Sequence, residues 1–136
     1  QLDQNAPLDL QEELLAAVAG LPGVRIWEET PNSLPGSRGW VLVDSSMTGA
    51  VDDFDQEREF GHLHQPQDGS MHLRLPAVAS RIVLGKGWAV LHPFSAVING
   101  GREIDYLLVF GPRNCEDLKV IWLIIQTSYA FASGQL

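Results

Sequence analysis

The sequence predicts an α+β fold: a mostly antiparallel or mixed sheet with helices packed on one face and a helix at each end of the chain. Helical patterns occur near both ends, a strand–turn–strand unit lies in the middle, and one further helical pattern interrupts the strand-like segments. The predicted order of elements is α-β-β-β-β-α-β-β-α. With 136 residues, 45% of them apolar, we expect a single domain over 1–136, with residues 1–8 frayed.

Two of the three helical patterns lie before the last third of the chain. The first is predicted over residues 9–20, because Asp9 and Glu12 fit a capping box and the apolar residues recur at helical spacing. The second starts with Pro76, a favoured residue in a first helical turn, and a glycine is expected to end it, either Gly85 or Gly87. Its side chains predicted to face the core are Val78, Ile82 and Val83.

The third helical pattern closes the chain. Asn114 is predicted to cap it, with Asp117 three residues further on, and Gly134 is predicted to end it. Its expected buried stripe consists of Leu118, Ile121, Trp122, Ile125 and Tyr129. Because residues 120–125 are apolar around much of the helix, a homodimer through this helix is an open alternative to full burial.

Alternating or continuous apolar patterns predict six strands. They cover residues 24–28, 39–43, 59–64, 70–75, 88–93 and 104–110. The last of these is an apolar strand long enough to be central in the sheet. The connecting segments predicted as loops are 31–37, 44–56 and 94–103. The third and fourth strands are expected to form a hairpin, because Pro66 and Asp68-Gly69 are turn formers.

The predicted hairpin carries three of the four histidines of the chain. Side chains alternate between the two faces of a strand, so we expect His62 and His64 to lie on one face together with Phe60. If His64 lies opposite Ser70, then His62 lies opposite His72 and the three histidines cluster. A slip of one residue would separate them.

Composition excludes several classes of protein. The net charge of −8 argues against nucleic acid and anionic membranes as partners. No apolar run approaches the roughly 20 residues of a transmembrane helix. The single cysteine, Cys115, excludes an internal disulfide and a cysteine-based zinc site, and it favours a cytoplasmic over a secreted protein. The chain does not begin with Met, so we expect a mature or trimmed form.

The four histidines occupy two short segments, and this clustering favours a shared site: His62, His64, His72 and His92. Two chemistries remain open. A His-x-His pair with a third histidine is typical of a zinc, iron, copper or manganese site, for which Glu59 or Asp68 would have to lie nearby. The other chemistry needs no metal, because a histidine is a suitable general base near neutral pH.

Arg113 lies just before the predicted N-terminus of the last helix, where an anion is favoured. It is a candidate anion clamp, and the alternative is an ion pair with Glu116 or Asp117. Trp88 is either one wall of an aromatic pocket or part of the core. Cys115 has no histidine near it in sequence, and we interpret it as structural.

Four sequence motifs contain these candidates, in this order: Glu59-x-x-His62-x-His64, Asp68-x-x-x-His72-Leu73, Gly87-Trp88-x-x-x-His92-Pro93, and Pro112-Arg113-Asn114 followed by Glu116. Together they resemble the luciferase-domain family of fungi and bacteria, which includes the fungal luciferase of bioluminescent mushrooms. The resemblance covers roughly residues 57–133. Four separate motifs in the same order and at similar spacing make it specific.

The resemblance implies an oxygenase that oxidises a hydroxypyrone of the 3-hydroxyhispidin type with O2 and needs no flavin or nicotinamide. In this chain the histidines would bind and deprotonate the acidic enol, and Arg113 would stabilise the resulting anion. Trp88 and Phe60 would enclose the flat substrate, with Glu59 and Asp68 as further binding residues. The alternatives are a non-luminous, metal-dependent enzyme with ligands His62, His64 and His72, and a non-catalytic domain that binds a small molecule.

Overall fold

The computed structural model describes residues 5–54, 57–98 and 100–136, with the side chain of Asp53 excepted. Within these residues the chain forms six strands, four α-helices and a 3-10 helix over Ala50–Asp53. The strands and helices are β1 (Val24–Trp27), β2 (Arg38–Leu42), β3 (Glu59–Leu63), β4 (Met71–Pro76), β5 (Ala89–Leu91) and β6 (Ile104–Val109), with α1 (Leu8–Ala19), α2 (Ala77–Gly85), α3 (Ser95–Ile98) and α4 (Cys115–Ala132).

The strands form one antiparallel sheet in the order β1-β2-β3-β4-β6-β5. The α+β prediction and the interior position of β6 are therefore confirmed. Helix α4 crosses β4 and β3, α1 packs against β1 and α4, and α2 packs against β4, β5 and β6. These three helices bury one face of the sheet. The fully buried side chains of the core between the sheet and the helices include Trp40, Leu63, Leu73 and Leu107 from the strands and Ile121 and Ile125 from α4.

Helix α4 begins and packs as its sequence predicts. The Asn114 side chain accepts a hydrogen bond from the Asp117 N–H at 2.9 Å, which satisfies one of the free donors of the first turn. Of the predicted stripe, Ile121, Ile125 and Tyr129 are buried, whereas Leu118 and Trp122 are half-buried. Each such side chain contributes about 1.5–3 kcal/mol through burial, so the apolar stripe of α4 is the main attachment of this helix to the sheet.

Three local predictions are wrong. No side chain caps α1; Pro7 occupies the N-cap position, so the capping box of Asp9 and Glu12 does not form. The face of α2 that packs against the core differs from the predicted one. Ser80 is buried and Val83 is half-buried, whereas Val78 and Ile82 are 69% and 57% exposed. The predicted loops are also more ordered, because 44–56 contains the 3-10 helix and 94–103 contains α3. Residues 55, 56 and 99 of these loops lie outside the described part of the chain.

A β-bulge in β3 decides which side chains face the helices. Trp40 pairs with Gly61, but the next residue of β2, Val41, pairs with Glu59, so Phe60 is an extra residue in β3. The Phe60 ring packs in the core, 6.4 Å from the ring of Trp40 and 5.9 Å from that of Tyr129 on α4. The expectation that Phe60 shares a face with the histidines is therefore wrong.

Candidate histidine site

The hairpin of β3 and β4 brings three histidines together on the face opposite to the helices. His62 pairs directly with His72 across the two strands. The His64 N–H donates to the Ser70 carbonyl oxygen at 2.9 Å, which extends the same register by one pair. This is the register in which the sequence predicts a cluster of His62, His64 and His72, here called the histidine trio.

One nitrogen from each ring of the trio points to a common place. His62 Nε2 lies 3.1 Å from His72 Nδ1, and His64 Nε2 lies 3.4 Å from the same atom. The ring centroids of the trio are 4.5 to 5.5 Å apart. The rings are inclined to one another, so the trio meets through its nitrogen atoms and not by face-to-face stacking.

Two carboxylates orient the rings of His62 and His64 by accepting hydrogen bonds from the ring nitrogens that point away from the trio. Glu59 Oε2 lies 3.3 Å from His62 Nδ1, and Asp68 Oδ2 lies 3.2 Å from His64 Nδ1. The Ser70 hydroxyl oxygen is 2.9 Å from His64 Nδ1 and donates to Asp68 Oδ1 at 2.7 Å. A carboxylate that accepts from one ring nitrogen leaves the opposite nitrogen of that ring with its lone pair free.

Glu59 is held in a closed shell of partners. Its carboxylate accepts from the Thr30 hydroxyl at 2.6 Å and from Asn32 Nδ2 at 3.1 Å, and only 1% of the residue is exposed. Gly39 makes room for it, since a Cβ there would lie 2.1 Å from Glu59 Oε1. Glu59 therefore orients the His62 ring through its Nδ1 atom. Because Glu59 is enclosed, its predicted role in contacting a substrate is wrong.

Sequence reasoning missed the contribution of the segment between β1 and β2. Residues 28–37 were predicted only as the end of a strand and a loop, yet Thr30 and Asn32 hold Glu59 and the next two residues border the site. No pattern in the single sequence marks this segment, because its partner Glu59 lies 29 residues away from Thr30.

His92 and Tyr106 extend the site along the sheet. The His92 ring lies 4.9 Å from the ring of His72, and the ring of Tyr106 lies 5.0 Å from His72 and 4.8 Å from His92. His92 Nδ1 accepts from the Phe94 N–H at 3.1 Å. In the neutral ring the proton is then on Nε2, so His92 is a hydrogen-bond donor at the edge of the trio. Tyr106 was not among the predicted site residues.

The pKa values of His64, His72 and His92 are lowered, which favours the neutral form of these three imidazoles. Burial and the positive charges that His62, His64 and His92 would carry lower the pKa of His72 to about 2. Burial also lowers the pKa of His64, helped by His62 and opposed by Asp68, and it lowers the pKa of His92. Burial raises the pKa of the Asp68 carboxyl, but hydrogen bonds from Ser70 and the His64 charge outweigh it, so that pKa falls below its usual range.

A cavity of about 390 Å³ opens beside the trio. It is lined by Ser33, Leu34, His64, Gln65, Asp68 and His72. This volume lies within the range of about 300–1,000 Å³ found for small-molecule sites. Two of the three converging imidazoles therefore border this cavity, and Asp68 lies beside them as predicted.

Trp88 lies on the other face of the sheet. It packs against the hydrophobic core and lines a separate groove of about 230 Å³ between α2 and α4, together with Val83 and Ile124. The core alternative for Trp88 is the one the structure supports. Its predicted role as a wall beside the histidines is wrong, as is that of Phe60.

Arg113 is engaged at the first turn of α4. Its Nε donates to Asp117 Oδ2 at 2.7 Å and its Nη2 to Asp117 Oδ1 at 3.3 Å, while its side chain is 58% exposed. The ion pair with Asp117 was the alternative to an anion clamp. Cys115, the residue after the N-cap, is exposed.

Replacing Asp117 by Asn should lower the melting temperature by a few degrees at pH 7. The hydrogen bond and charge of Arg113 lower the pKa of the Asp117 carboxyl in the folded chain. A lowered folded-state pKa stabilises above the unfolded pKa of about 3.9, and this stabilisation is lost as the pH falls through the folded value. Thermal unfolding of both proteins from pH 7 to pH 2 should therefore show two curves that converge in acid. A constant difference over the whole range would contradict this origin of the stability.

The chain is thus an antiparallel α+β domain with a cluster of oriented imidazoles beside a cavity on the face of the sheet opposite to the helices. The family model described as "Luciferase domain" matches residues 57–128, which is more than half of the chain and contains the whole trio and its carboxylates. The chain belongs to the luciferase-domain family.

Curated relatives agree with this assignment. The chain is 33% identical over 78 residues to proteins named "Luciferase" from Armillaria gallica and Armillaria mellea, and 32% identical over 78 residues to one from Neonothopanus nambi. Each match covers 57% of this chain and 29% of the relative, so the chain spans less than a third of the length of these proteins.

No solved structure matches the chain. Among the residues that the structure describes, no helix is both long enough and apolar enough to cross a membrane.

Proposed function

We propose that this chain is a luciferase-like oxygenase that oxidises an acidic enol, a hydroxypyrone of the 3-hydroxyhispidin type, with O2. The observation that carries the proposal is the opening of the histidine trio onto a cavity through His64 and His72. Membership of the luciferase-domain family and the relatives named luciferases support the reaction class.

His64 is the residue best placed to ionise the enol. Its Nε2 lone pair faces the trio, and its Nδ1 is backed by Asp68 and Ser70. A carboxylate behind an imidazole fixes the tautomer and stabilises the imidazolium that forms when the ring accepts a proton. The His64 side chain is 14% exposed, whereas that of His62 is 1% exposed, so a substrate can approach His64 and not His62.

The enolate carries the electrons for the reaction. Its carbon reduces O2 to the peroxide level as a carbon–oxygen bond forms, and the peroxide later loses CO2. No flavin or nicotinamide is needed for this step. His92, with a proton on Nε2, is a donor for the enolate oxygen at the edge of the trio, and Tyr106 packs beside it. In this proposal Arg113 remains a further candidate for the anion, since its side chain is 58% exposed even while bound to Asp117.

The test is turnover by the purified chain mixed with 3-hydroxyhispidin in air, followed by photon counting and by O2 uptake. We expect O2 uptake that depends on the protein, accompanied by light that disappears under argon. O2 uptake without light would leave a non-luminous oxygenase of the same family and would remove the luciferase claim. A folded chain that consumes no O2 with this substrate would overturn the proposal.

A matched control separates the site from general effects of substitution. Lys119→Ala changes an exposed residue of α4 on the helix side of the sheet, where Lys119 pairs with Glu116 at 3.1 Å. This variant should turn over the hydroxypyrone at the wild-type rate.

A further inference from the structure

We propose that the histidine trio binds one divalent transition-metal ion, with His62 Nε2, His64 Nε2 and His72 Nδ1 as ligands and Zn²⁺ as the representative ion. One ligand nitrogen of each of the three rings lies within 4.8 Å of the other two. The inference comes from the geometry of the rings and does not rest on the proposed oxygenation.

The spacing of the nitrogens matches a coordination shell. With metal–nitrogen bonds of about 2.1 Å, two ligands are about 3.0 Å apart at an octahedral angle and about 3.4 Å apart at a tetrahedral one. The observed separations from His72 Nδ1 are 3.1 Å to His62 Nε2 and 3.4 Å to His64 Nε2. Two of the three nitrogen pairs therefore already have the spacing of a coordination shell, and the third pair, between His62 and His64, would have to close to about 3.4 Å or less by rotation of the rings when an ion binds.

The positions of the ring protons on His62 and His64 favour a cation between the three converging ring nitrogens. Glu59 and Asp68 each accept from a ring Nδ1, so the Nε2 atoms of His62 and His64 both present lone pairs to His72. His72 Nδ1 carries at most one proton, which cannot form a full hydrogen bond with both lone pairs. A metal ion accepts all three lone pairs at once.

The residues around the trio supply the hydrogen-bond acceptors that metal-binding histidines usually have behind their rings. Ligating imidazoles usually donate their other ring N–H to a carboxylate or carbonyl, which fixes the ring and raises its basicity. Glu59 does this for His62, and the pair of Asp68 and Ser70 does it for His64. Because Glu59 is itself held by Thr30 and Asn32, the His62 ring is fixed before any ion arrives.

The site also has an open side. The cavity lies against His64 and His72, so a metal ion bound by three imidazoles would have room for water or a substrate oxygen in a fourth position. Three neutral nitrogen ligands favour Zn²⁺, Cu²⁺ or Fe²⁺ over Mg²⁺ or Ca²⁺, which prefer oxygen. In the proposed oxygenase such an ion would ionise the enol by coordinating its oxygen, in place of proton transfer to His64.

The experiment is metal titration of the whole chain after treatment with a chelator, without any substrate. Zn²⁺ binding is measured by calorimetry, and Co²⁺ serves as a visible probe of nitrogen coordination. We expect one equivalent of Zn²⁺ per chain and a Co²⁺ spectrum of a nitrogen-ligated ion. Affinity should fall more than about 100-fold in His64→Ala and about 10–100-fold in Asp68→Asn.

Glu116→Gln is the matched control for Asp68→Asn, because it removes an exposed carboxylate of α4 on the helix side of the sheet. Its Zn²⁺ affinity should equal that of the wild type, and circular dichroism should show every variant folded. A folded wild type that binds no Zn²⁺ would overturn the site. So would an affinity that His64→Ala and Asp68→Asn leave unchanged, or one that Glu116→Gln lowers as much as His64→Ala. Since no turnover is measured, a chain that binds Zn²⁺ but does not oxidise the hydroxypyrone keeps this site and loses only the proposed function.

Discussion

Replacing His72 by Ala should lower the rate of hydroxypyrone oxidation by about 10²-fold, the loss expected when a catalytic group such as the neighbouring His64 ring is displaced by about 1 Å. His72 has this effect because its Nδ1 is the atom that both other rings of the trio approach, at 3.1 and 3.4 Å. The measurement is the initial rate of O2 uptake with 3-hydroxyhispidin in air, with photon counting in parallel.

The fold should survive this substitution. His72 is half-buried and its ring contacts other rings of the same face, while Leu73 and Met71, its neighbours in β4, supply the core contacts. The variant should therefore unfold near the wild-type melting temperature. A rate close to that of the wild type would remove His72 from the reaction, and a variant that fails to fold would show that the ring is structural.

Replacing Glu59 by Ala should destabilise the fold by about 2–4 kcal/mol. The substitution removes the acceptor of the Thr30 hydroxyl, of Asn32 Nδ2 and of His62 Nδ1. Each buried donor left without an acceptor costs about 1–3 kcal/mol, and the site is closed to solvent because Glu59 is only 1% exposed. Urea denaturation of both proteins, followed by tryptophan fluorescence, measures the difference.

Two variants control this prediction. Glu59→Gln keeps the shape and one acceptor oxygen, so it should be less destabilising than Glu59→Ala. Glu29→Ala removes an exposed carboxylate from the same neighbourhood and should change the free energy of unfolding by less than about 0.5 kcal/mol. If Glu59→Ala is as stable as Glu29→Ala, the shell around Glu59 does not hold the site.

Local patterns predicted a large part of the fold and of the site. The hairpin was readable because Pro66 and Asp68-Gly69 mark a turn between two alternating segments. Once His64 lies opposite Ser70, antiparallel pairing places His62 opposite His72, and the alternation of side chains along each strand puts all three rings on one face. Helix α4 could be predicted from its cap at Asn114 and its apolar stripe, because both depend only on residues close together in the sequence.

The errors have a common physical origin in contacts between distant segments. Strict alternation places Phe60 with His62, but the bulge inserts Phe60 as an extra residue and turns its ring into the core. Glu59 was predicted to bind the substrate, since nothing local shows that Thr30 and Asn32 enclose it. Trp88 follows a glycine and precedes a strand of three residues, which is too short for periodicity to assign its face.

In the proposed function, small molecules bind at the histidine trio and not in the groove between α2 and α4. Two-dimensional NMR of the isotope-labelled chain, titrated with 3-hydroxyhispidin under argon to prevent turnover, distinguishes these two places. We predict chemical-shift changes concentrated at the residues that line the cavity, with His64, Gln65 and His72 the most affected. Changes concentrated instead at Val83 and Trp88, which line the helix-side groove, would contradict the claim.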